Sequence, residues 1–139
     1  MFIIRQFQET DLDEVIALWE VCDLTRPWNN PEIDIFRKVA QKDGLFLLAV
    51  KDEQLIATVM GGYDGHRGWV NYLAVHPHDQ RNGVATALIQ QLEKRLVVLG
   101  CTKLQLLIRK DNIDVQSFYE QLGYEEIEVV CLGKRLISD

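Results

Sequence analysis

The sequence predicts a single domain, residues 1–139, of the mixed α/β class. Helix-like and strand-like patterns alternate along the whole length, and no linker, low-complexity segment or repeat interrupts them. Three short apolar segments in the middle follow one another through tight turns, and hydrophobic residues at 47% suffice for one core. We therefore expect an antiparallel meander followed by a strand–helix–strand unit, with about four helices around a six- or seven-stranded sheet.

The first part of the chain predicts one strand and two helices. Residues 2–7 are apolar and extended in pattern, and Thr10 can cap a helix. Asn30-Pro31 is a cap followed by a first-turn proline, which predicts a second helix after the irregular loop 23–29. The apolar residues at helical spacing are Leu12, Val15, Ile16, Trp19 and Cys22 in the first helix, and Ile33, Phe36, Val39 and Ala40 in the second.

The middle of the chain predicts an antiparallel meander of three strands. Segments 45–50, 55–60 and 69–75 are short and rich in β-branched or aromatic residues. Polar residues 51–54 predict the first turn, and the glycine-rich residues 61–68 predict the second reversal.

The last part of the chain predicts two helices, each stopped by a glycine and followed by a strand. One helix covers residues 83–99 and ends before Gly100, and the other begins at the capping residue Asn112 and ends at Gly123. The predicted strands are residues 103–109 and 124–137.

Composition excludes several function classes. A net charge of -6 argues against nucleic-acid binding and is compatible with a cationic substrate such as an amine. No apolar run approaches the length of a membrane span, and Arg5 comes too early for a signal peptide. Cys22, Cys101 and Cys131 are odd in number and widely spaced, which predicts buried or inert thiols in a reducing cytoplasm.

The junction between the third meander strand and the long helix carries the strongest functional signal. Gly83 and Ala85 make a small-residue turn, and no carboxylate follows Asp79 there. Such a turn points backbone N–H groups at a helix N-terminus, where phosphate binds. A P-loop is absent, since Val84 and Ala85 follow the glycine where Lys and then Ser or Thr are needed. The three spaced glycines of a dinucleotide fingerprint after the first strand are missing too. The alternative is a plain helix start whose glycine allows close packing.

A second motif spans residues 112–124. Asn112 can cap the helix, and an aromatic pair precedes Leu122, a glycine stop and Tyr124. Tyr119 can be a core residue, or a phenol aimed into a cleft that protonates a leaving thiolate.

Taken together, the two motifs resemble the Gcn5-related N-acetyltransferase family over about residues 45–124. The matching positions are Val75, His76, Pro77, Gln80, Gly83 and Ala85 in the first motif, and Asn112, Tyr119, Leu122, Gly123 and Tyr124 in the second. The reversal 61–68 and the Arg-Pro-Trp-Asn loop at residues 26–29 look like the small bacterial YpeA acetyltransferase group.

The resemblance implies an acetyl-coenzyme A-dependent N-acetyltransferase acting on a primary amine of a small molecule or peptide by direct attack, with no metal. It also implies main-chain contacts to pantetheine, with an oxyanion donor nearby, from Leu73, Ala74 and Val75. The pyrophosphate would be wrapped by Arg81, Asn82, Gly83, Val84, Ala85 and Thr86. Asn112 would contact the coenzyme, and Tyr119 would protonate the departing thiolate.

One departure leaves the general base open. Relatives that acetylate protein N-termini often carry a glutamate where this chain has Leu107. Asp64 and His66 in the reversal, Asp23 in the first loop, or a chain of waters are the candidates. For Asp64 and His66 the alternative, which we favour, is a polar turn with backbone hydrogen bonds.

The loop between the first two helices, together with Asp64 and His66, is a candidate acceptor site. Arg26 and Trp28 can bind a substrate carboxylate and its apolar part, or Trp28 can pin the loop by packing on the core. His76 and His78 form a surface turn in the favoured interpretation, because no third metal ligand is evident.

Two other functions compete with catalysis of acetyl transfer to an amine. One is a non-catalytic module that binds coenzyme A and acts as a sensor or interaction partner, and the other is a toxin-like enzyme that acetylates charged transfer RNA. The acidic net charge disfavours the second. An exposed sheet edge or the C-terminal strand can also mediate a homodimer.

Overall fold

The computed structural model describes residues 1–138 in two units, Met1–Leu106 and the chain from Leu107 onward. The first unit contains β1 (Ile3–Gln6), α1 (Leu12–Val21), α2 (Pro31–Ala40), β2 (Phe46–Lys51), β3 (Gln54–Tyr63), β4 (Gly68–Val75), α3 (Val84–Val98) and β5 (Leu104–Leu106). The second contains α4 (Ile113–Gln121). Short 3-10 turns lie at Glu9–Asp11 and Pro77–Asp79.

The strands of the first unit form one sheet in the order β1-β2-β3-β4-β5. The first four strands pair antiparallel, and β5 pairs parallel to β4. This arrangement confirms the mixed α/β class, the meander and the return through a helix to a parallel strand. Within residues 1–138 the sheet has five strands, fewer than the six or seven expected.

The missing strand is the predicted C-terminal one. Residues 124–137 form no strand, and their apolar side chains are exposed, as Val130 at 83% and Leu132 at 89% show. The prediction was wrong because an alternating pattern records only strand propensity, whereas a strand also needs a partner to satisfy its backbone. For the same reason β5 ends at Leu106, short of the predicted 103–109.

Helices cover both faces of the sheet in the first unit. Met60 belongs to a buried cluster that includes Trp19 of α1 and Ile35 of α2. A Cβ atom at the next residue, Gly61, would collide with Leu92 of α3. Because successive strand residues point to opposite faces, α1 and α3 cover opposite sides of the sheet.

The first helix begins differently from the prediction. Thr10 does not cap it, because the chain enters through the 3-10 turn Glu9–Asp11. Asp11 accepts the Gln8 backbone N–H at 2.8 Å and pairs with both terminal nitrogens of Arg5 at 2.8 and 2.9 Å. The carboxylate provides a stronger local anchor than the neighbouring hydroxyl.

The second helix begins as predicted but buries another face. The Asn30 side chain accepts backbone N–H groups from Glu32 at 3.0 Å and Ile33 at 3.2 Å, which confirms the cap. The buried positions are Ile35 and Lys38, whereas Phe36 and Val39 of the predicted apolar stripe are exposed. Lys38 is buried because its ammonium group bonds Asp43 at 2.7 Å and Gln41 at 3.1 Å, a compensation that hydropathy does not reveal.

Candidate functional site

A bulge interrupts strand β4 in the middle of the sheet. Thr58 of β3 lies opposite Ala74 and Met60 lies opposite Asn71, so Val59 alone faces two residues of β4. One of those two, Tyr72, has a φ of 50°, a left-handed conformation that is costly for an aromatic residue. The surrounding contacts must therefore hold it in place.

Three buried or half-buried side chains hold the bulge. The Thr58 hydroxyl donates to the Tyr72 carbonyl at 2.9 Å and accepts from Trp19 Nε1 at 2.9 Å. The rings of Trp19 and Tyr72 stack with centroids 3.7 Å apart and planes 8° apart. The Tyr72 hydroxyl donates to Asp34 Oδ2 at 2.6 Å. Elements α1, α2 and β3 thus all fix one residue of β4.

Beyond the bulge, β4 presents an open edge. The pairing of β4 with β5 ends at Val70 and Leu106. Within residues 1–138, no strand pairs with this edge of β4 between Val70 and Val75. Leu73, Ala74 and Val75, the residues expected to bind pantetheine, lie on this stretch. An extended ligand with amide groups can add to such an edge as a further strand would.

The last carbonyl of β4 is tied to the following turn. Val75 O accepts from Gln80 Nε2 at 3.2 Å and from Cys22 Sγ at 3.3 Å. Gln80 therefore positions the turn relative to the strand end. Burial raises the pKa of the Cys22 thiol, in keeping with a packed thiol rather than a nucleophile.

The turn itself leads into an uncapped helix N-terminus. Arg81 has a φ of 66° and Gly83 a φ of 79°, and α3 starts at the next residue. The first intrahelical bond runs from Ala87 N to Gly83 O at 3.0 Å, so the N–H groups of residues 84–86 precede it. The N-cap residue is Gly83, which has no side chain to cap the helix, and no acidic residue lies in the first turn. A Cβ atom added at Gly83 would meet nothing within 4 Å. This geometry suits an anion.

The second unit contains the other two predicted site residues. The Asn112 side chain accepts the Val115 backbone N–H at 3.3 Å, which confirms the predicted cap of α4. Tyr119 is only 4% exposed, and its ring meets Phe118 and Tyr124 edge-on at centroid distances of 5.0 and 5.3 Å. Burial raises the pKa of Tyr119 well above its ordinary value, so the phenol keeps its proton at neutral pH.

The glycine-rich reversal is a polar turn. Asp64 Oδ1 accepts backbone N–H groups from His66 at 2.8 Å and Arg67 at 2.7 Å, and Oδ2 accepts from Trp69 Nε1 at 3.2 Å. These bonds to backbone N–H groups, and then the bond from Trp69, lower the pKa of Asp64 to about 2. A carboxyl group so acidic is a poor base, which supports the turn interpretation.

The loop after α1 places its two candidate residues differently. Arg26 Nη1 donates to the carbonyls of Asp23 at 2.6 Å and Thr25 at 2.9 Å, so that nitrogen stabilises the loop itself. Trp28 is 53% exposed and does not pin the loop to the core. Asp23, the other base candidate, is exposed and lies 3.5 Å from Arg26 Nη1.

The histidine pair also forms a local turn. His76 Nδ1 accepts the His78 backbone N–H at 3.2 Å, and the two rings stack at 5.0 Å. Residues 1–138 contain no group of three or more His, Cys, Asp or Glu side chains suited to a metal ion. Within the same residues no helix combines the length and the apolar character of a membrane span.

Sequence reasoning missed the Asp34–Tyr72 pair. The two residues are 38 positions apart, one on a helix and one on a strand. No local pattern joins them, and the apolar spacing of α2 drew attention to the opposite side of that helix. The two meet where Tyr72, the left-handed residue of the bulge, contacts α2.

Comparison with solved structures finds the same fold. An aminoglycoside 6'-N-acetyltransferase of Acinetobacter haemolyticus is 26% identical over 98% of this chain and 99% of its own, with a TM-score of 0.74. The PaiA N-acetyltransferase of Thermoplasma acidophilum, solved with coenzyme A, is 17% identical over 94% and 93%, with a TM-score of 0.83. The ribosomal-protein-S18-alanine N-acetyltransferase of Escherichia coli is 22% identical over 91% and 79%, with a TM-score of 0.76.

The family comparison covers both sequence motifs. The model of the acetyltransferase (GNAT) family matches residues 10–124, which include the turn before α3 and the whole of α4. Since the match extends over most of the chain, this protein belongs to the GNAT acetyltransferase family.

Proposed function

We propose that this protein is an N-acetyltransferase that transfers the acetyl group of acetyl-coenzyme A to a primary amine of a small molecule or peptide. The observation that carries the proposal is the continuity of two sites along the chain. Strand β4, with its open edge, ends at Val75, and the uncapped N-terminus of α3 begins at Val84, after the turn that Gln80 ties to the strand end. An extended amide arm followed by a pyrophosphate requires the same order.

The donor would lie along this edge and turn. Main-chain groups of residues 73–75 would pair with the pantetheine arm, as a neighbouring strand does. Arg81 adds a positive charge beside the helix N-terminus, where the N–H groups of residues 84–86 would bind the pyrophosphate. The amide group of Asn112 would contact the coenzyme in addition to capping its helix.

Transfer would proceed by direct attack. The acceptor would first lose a proton from its ammonium group to solvent, and the nitrogen lone pair would then attack the thioester carbonyl carbon. A main-chain N–H near residues 73–75 would stabilise the oxyanion, an effect often worth about 3 kcal/mol. The C–S bond would break as the intermediate collapses. The departing thiolate would take a proton from Tyr119, and the proton lost from the acetylated nitrogen would restore the phenol.

The acceptor class is part of the proposal. Similar structures include enzymes described as acetyltransferases of an aminoglycoside and of a ribosomal-protein alanine, both of which present amines. On that basis we propose that this protein also acetylates an amine. We also propose, from loop 26–29 and reversal 61–68, that the chain belongs to the YpeA-like subgroup, and that the protein is cytoplasmic.

Free thiol released from acetyl-coenzyme A, measured across a panel of amines, tests the proposal. Thiol release that depends on one amine supports it, and Tyr119→Phe should lower kcat with little change in the KM for acetyl-coenzyme A. Tight coenzyme binding without turnover on any amine would instead indicate the non-catalytic module.

A pair of glycine variants tests the donor site. Gly83→Ala and Gly65→Ala both force an alanine into positive φ, 79° and 91°, without a steric contact. Both should lose about 1–2 kcal/mol of stability. Only Gly83→Ala should raise the KM for acetyl-coenzyme A, because Gly65 lies in the reversal and not in the turn before α3. Equal KM values for the two variants would refute the assignment.

A further inference from the structure

Asp34 stands beside the strand on which the acetyl group is proposed to lie. Its carboxylate accepts the Tyr72 hydroxyl at 2.6 Å, and Tyr72 is the left-handed residue of the β4 bulge. Tyr72 immediately precedes Leu73, where the open edge of β4 continues. Both side chains are half-buried, so the pair is partly accessible rather than sealed in the core.

The Asp34 carboxylate lies in the first turn of α2, close to the N-terminus of that helix. It accepts a short hydrogen bond, 2.6 Å long, from the Tyr72 phenol. The buried cation on this helix, Lys38, is already bonded to Asp43 at 2.7 Å and Gln41 at 3.1 Å.

The hydrogen-bonding capacity of the carboxylate exceeds what the tyrosine uses. A carboxylate offers about four acceptor positions on its two oxygens. Within residues 1–138, the side chain that donates a hydrogen bond to the Asp34 carboxylate is that of Tyr72. The remaining acceptor positions suit an ammonium group, which has three donors and no acceptor.

We propose that Asp34, oriented by Tyr72, binds the ammonium group of the acceptor amine, so that the acceptor is a cationic primary amine delivered from the α1 and α2 face of the sheet. This inference rests on the proposed function and adds its substrate class. Asp34 contacts the substrate, whereas Tyr72 acts as a positioning residue: it links the carboxylate to the bulge and so fixes the distance between amine and thioester. The ammonium proton leaves to solvent before the nitrogen attacks.

The test compares two carboxylates of the same helix turn. Asp34→Asn removes the charge while keeping the side-chain size, and Glu32→Gln removes an exposed charge from the same first turn as a matched control. The measurements are isothermal titration of the wild type and both variants with spermidine, glucosamine and lysine amide in the presence of coenzyme A, and steady-state kinetics with any of these amines that reacts.

Asp34→Asn should weaken amine binding about tenfold to a hundredfold, the range for a hydrogen-bonded charge, and leave coenzyme binding unchanged. Glu32→Gln should bind as the wild type does. Tyr72→Phe should weaken amine binding less than Asp34→Asn, and raise the KM for the amine more than it lowers kcat.

Four outcomes are decisive. Amine binding equal in Asp34→Asn and Glu32→Gln overturns the inference, as does a wild type that binds none of the three amines. A parallel loss of amine and coenzyme binding in Asp34→Asn also overturns it, because that loss indicates a structural role. Amine binding that depends on Asp34 without any acetyl transfer supports this site and refutes the proposed enzymatic function alone.

Discussion

Replacement of Thr58 by valine tests the account of the bulge. Thr58 is fully buried, and its hydroxyl serves both the indole N–H of Trp19 and the carbonyl of Tyr72, each at 2.9 Å. Valine has nearly the same shape, so it leaves no cavity. It lacks the hydroxyl, however, and therefore leaves both the indole N–H and the carbonyl without that hydrogen-bond partner. Each buried polar group left unsatisfied costs about 1–3 kcal/mol, which gives about 2–6 kcal/mol for the two together.

Urea unfolding measures this cost, and Thr58→Ser is the matched control. Serine keeps the hydroxyl and loses one methyl group, at a cost of about 1 kcal/mol. Against a total stability of about 5–15 kcal/mol for such a domain, the difference between the two variants is readily resolved. If Thr58→Val proves as stable as Thr58→Ser or more so, the hydroxyl does not hold the bulge and the reasoning is refuted.

Two further predictions concern the packing and the acid stability of the first unit. Gly61→Ala should lower the free energy of unfolding by about 1–3 kcal/mol, because the added Cβ collides with Leu92. Gly62→Ala should lower it less, because its Cβ would lie 3.8 Å from its nearest neighbour. Equal urea midpoints for the two variants would contradict the prediction. The hydrogen bond from Arg5 lowers the pKa of Asp11, so its stabilisation is present above the unfolded pKa of about 3.9 and is lost as pH falls through the lower folded value. Asp11→Asn should therefore unfold at lower urea than the wild type at pH 7 but lose less stability on acidification, and parallel pH profiles would exclude this linkage.

Local signals in the sequence predicted the local features correctly. Asn30 and Asn112 cap helices because a side-chain oxygen reaches an N–H group two or three residues away, a relation visible in sequence. Gly100 and Gly123 end helices with φ values of 91° and 95°, which few other residues tolerate. The meander followed equally from short strands joined by tight turns.

Contacts between distant positions could not be predicted in this way. The bond between Trp19 and Thr58 spans 39 residues and the bond between Asp34 and Tyr72 spans 38. Both lie at the bulge, a shift in strand register that no local residue pattern predicts. The proposed donor side of the candidate site therefore rests on local sequence patterns, while the proposed acceptor side depends on tertiary packing.

Transfer of a labelled acetyl group tests the central claim most directly. The protein is incubated with acetyl-coenzyme A labelled in the acetyl group and with the amine panel, and the label is located by mass spectrometry. We predict label on the nitrogen of a cationic primary amine, in equal amount to the free thiol released. Label that stays in the thioester with every amine, although the coenzyme binds, would contradict it.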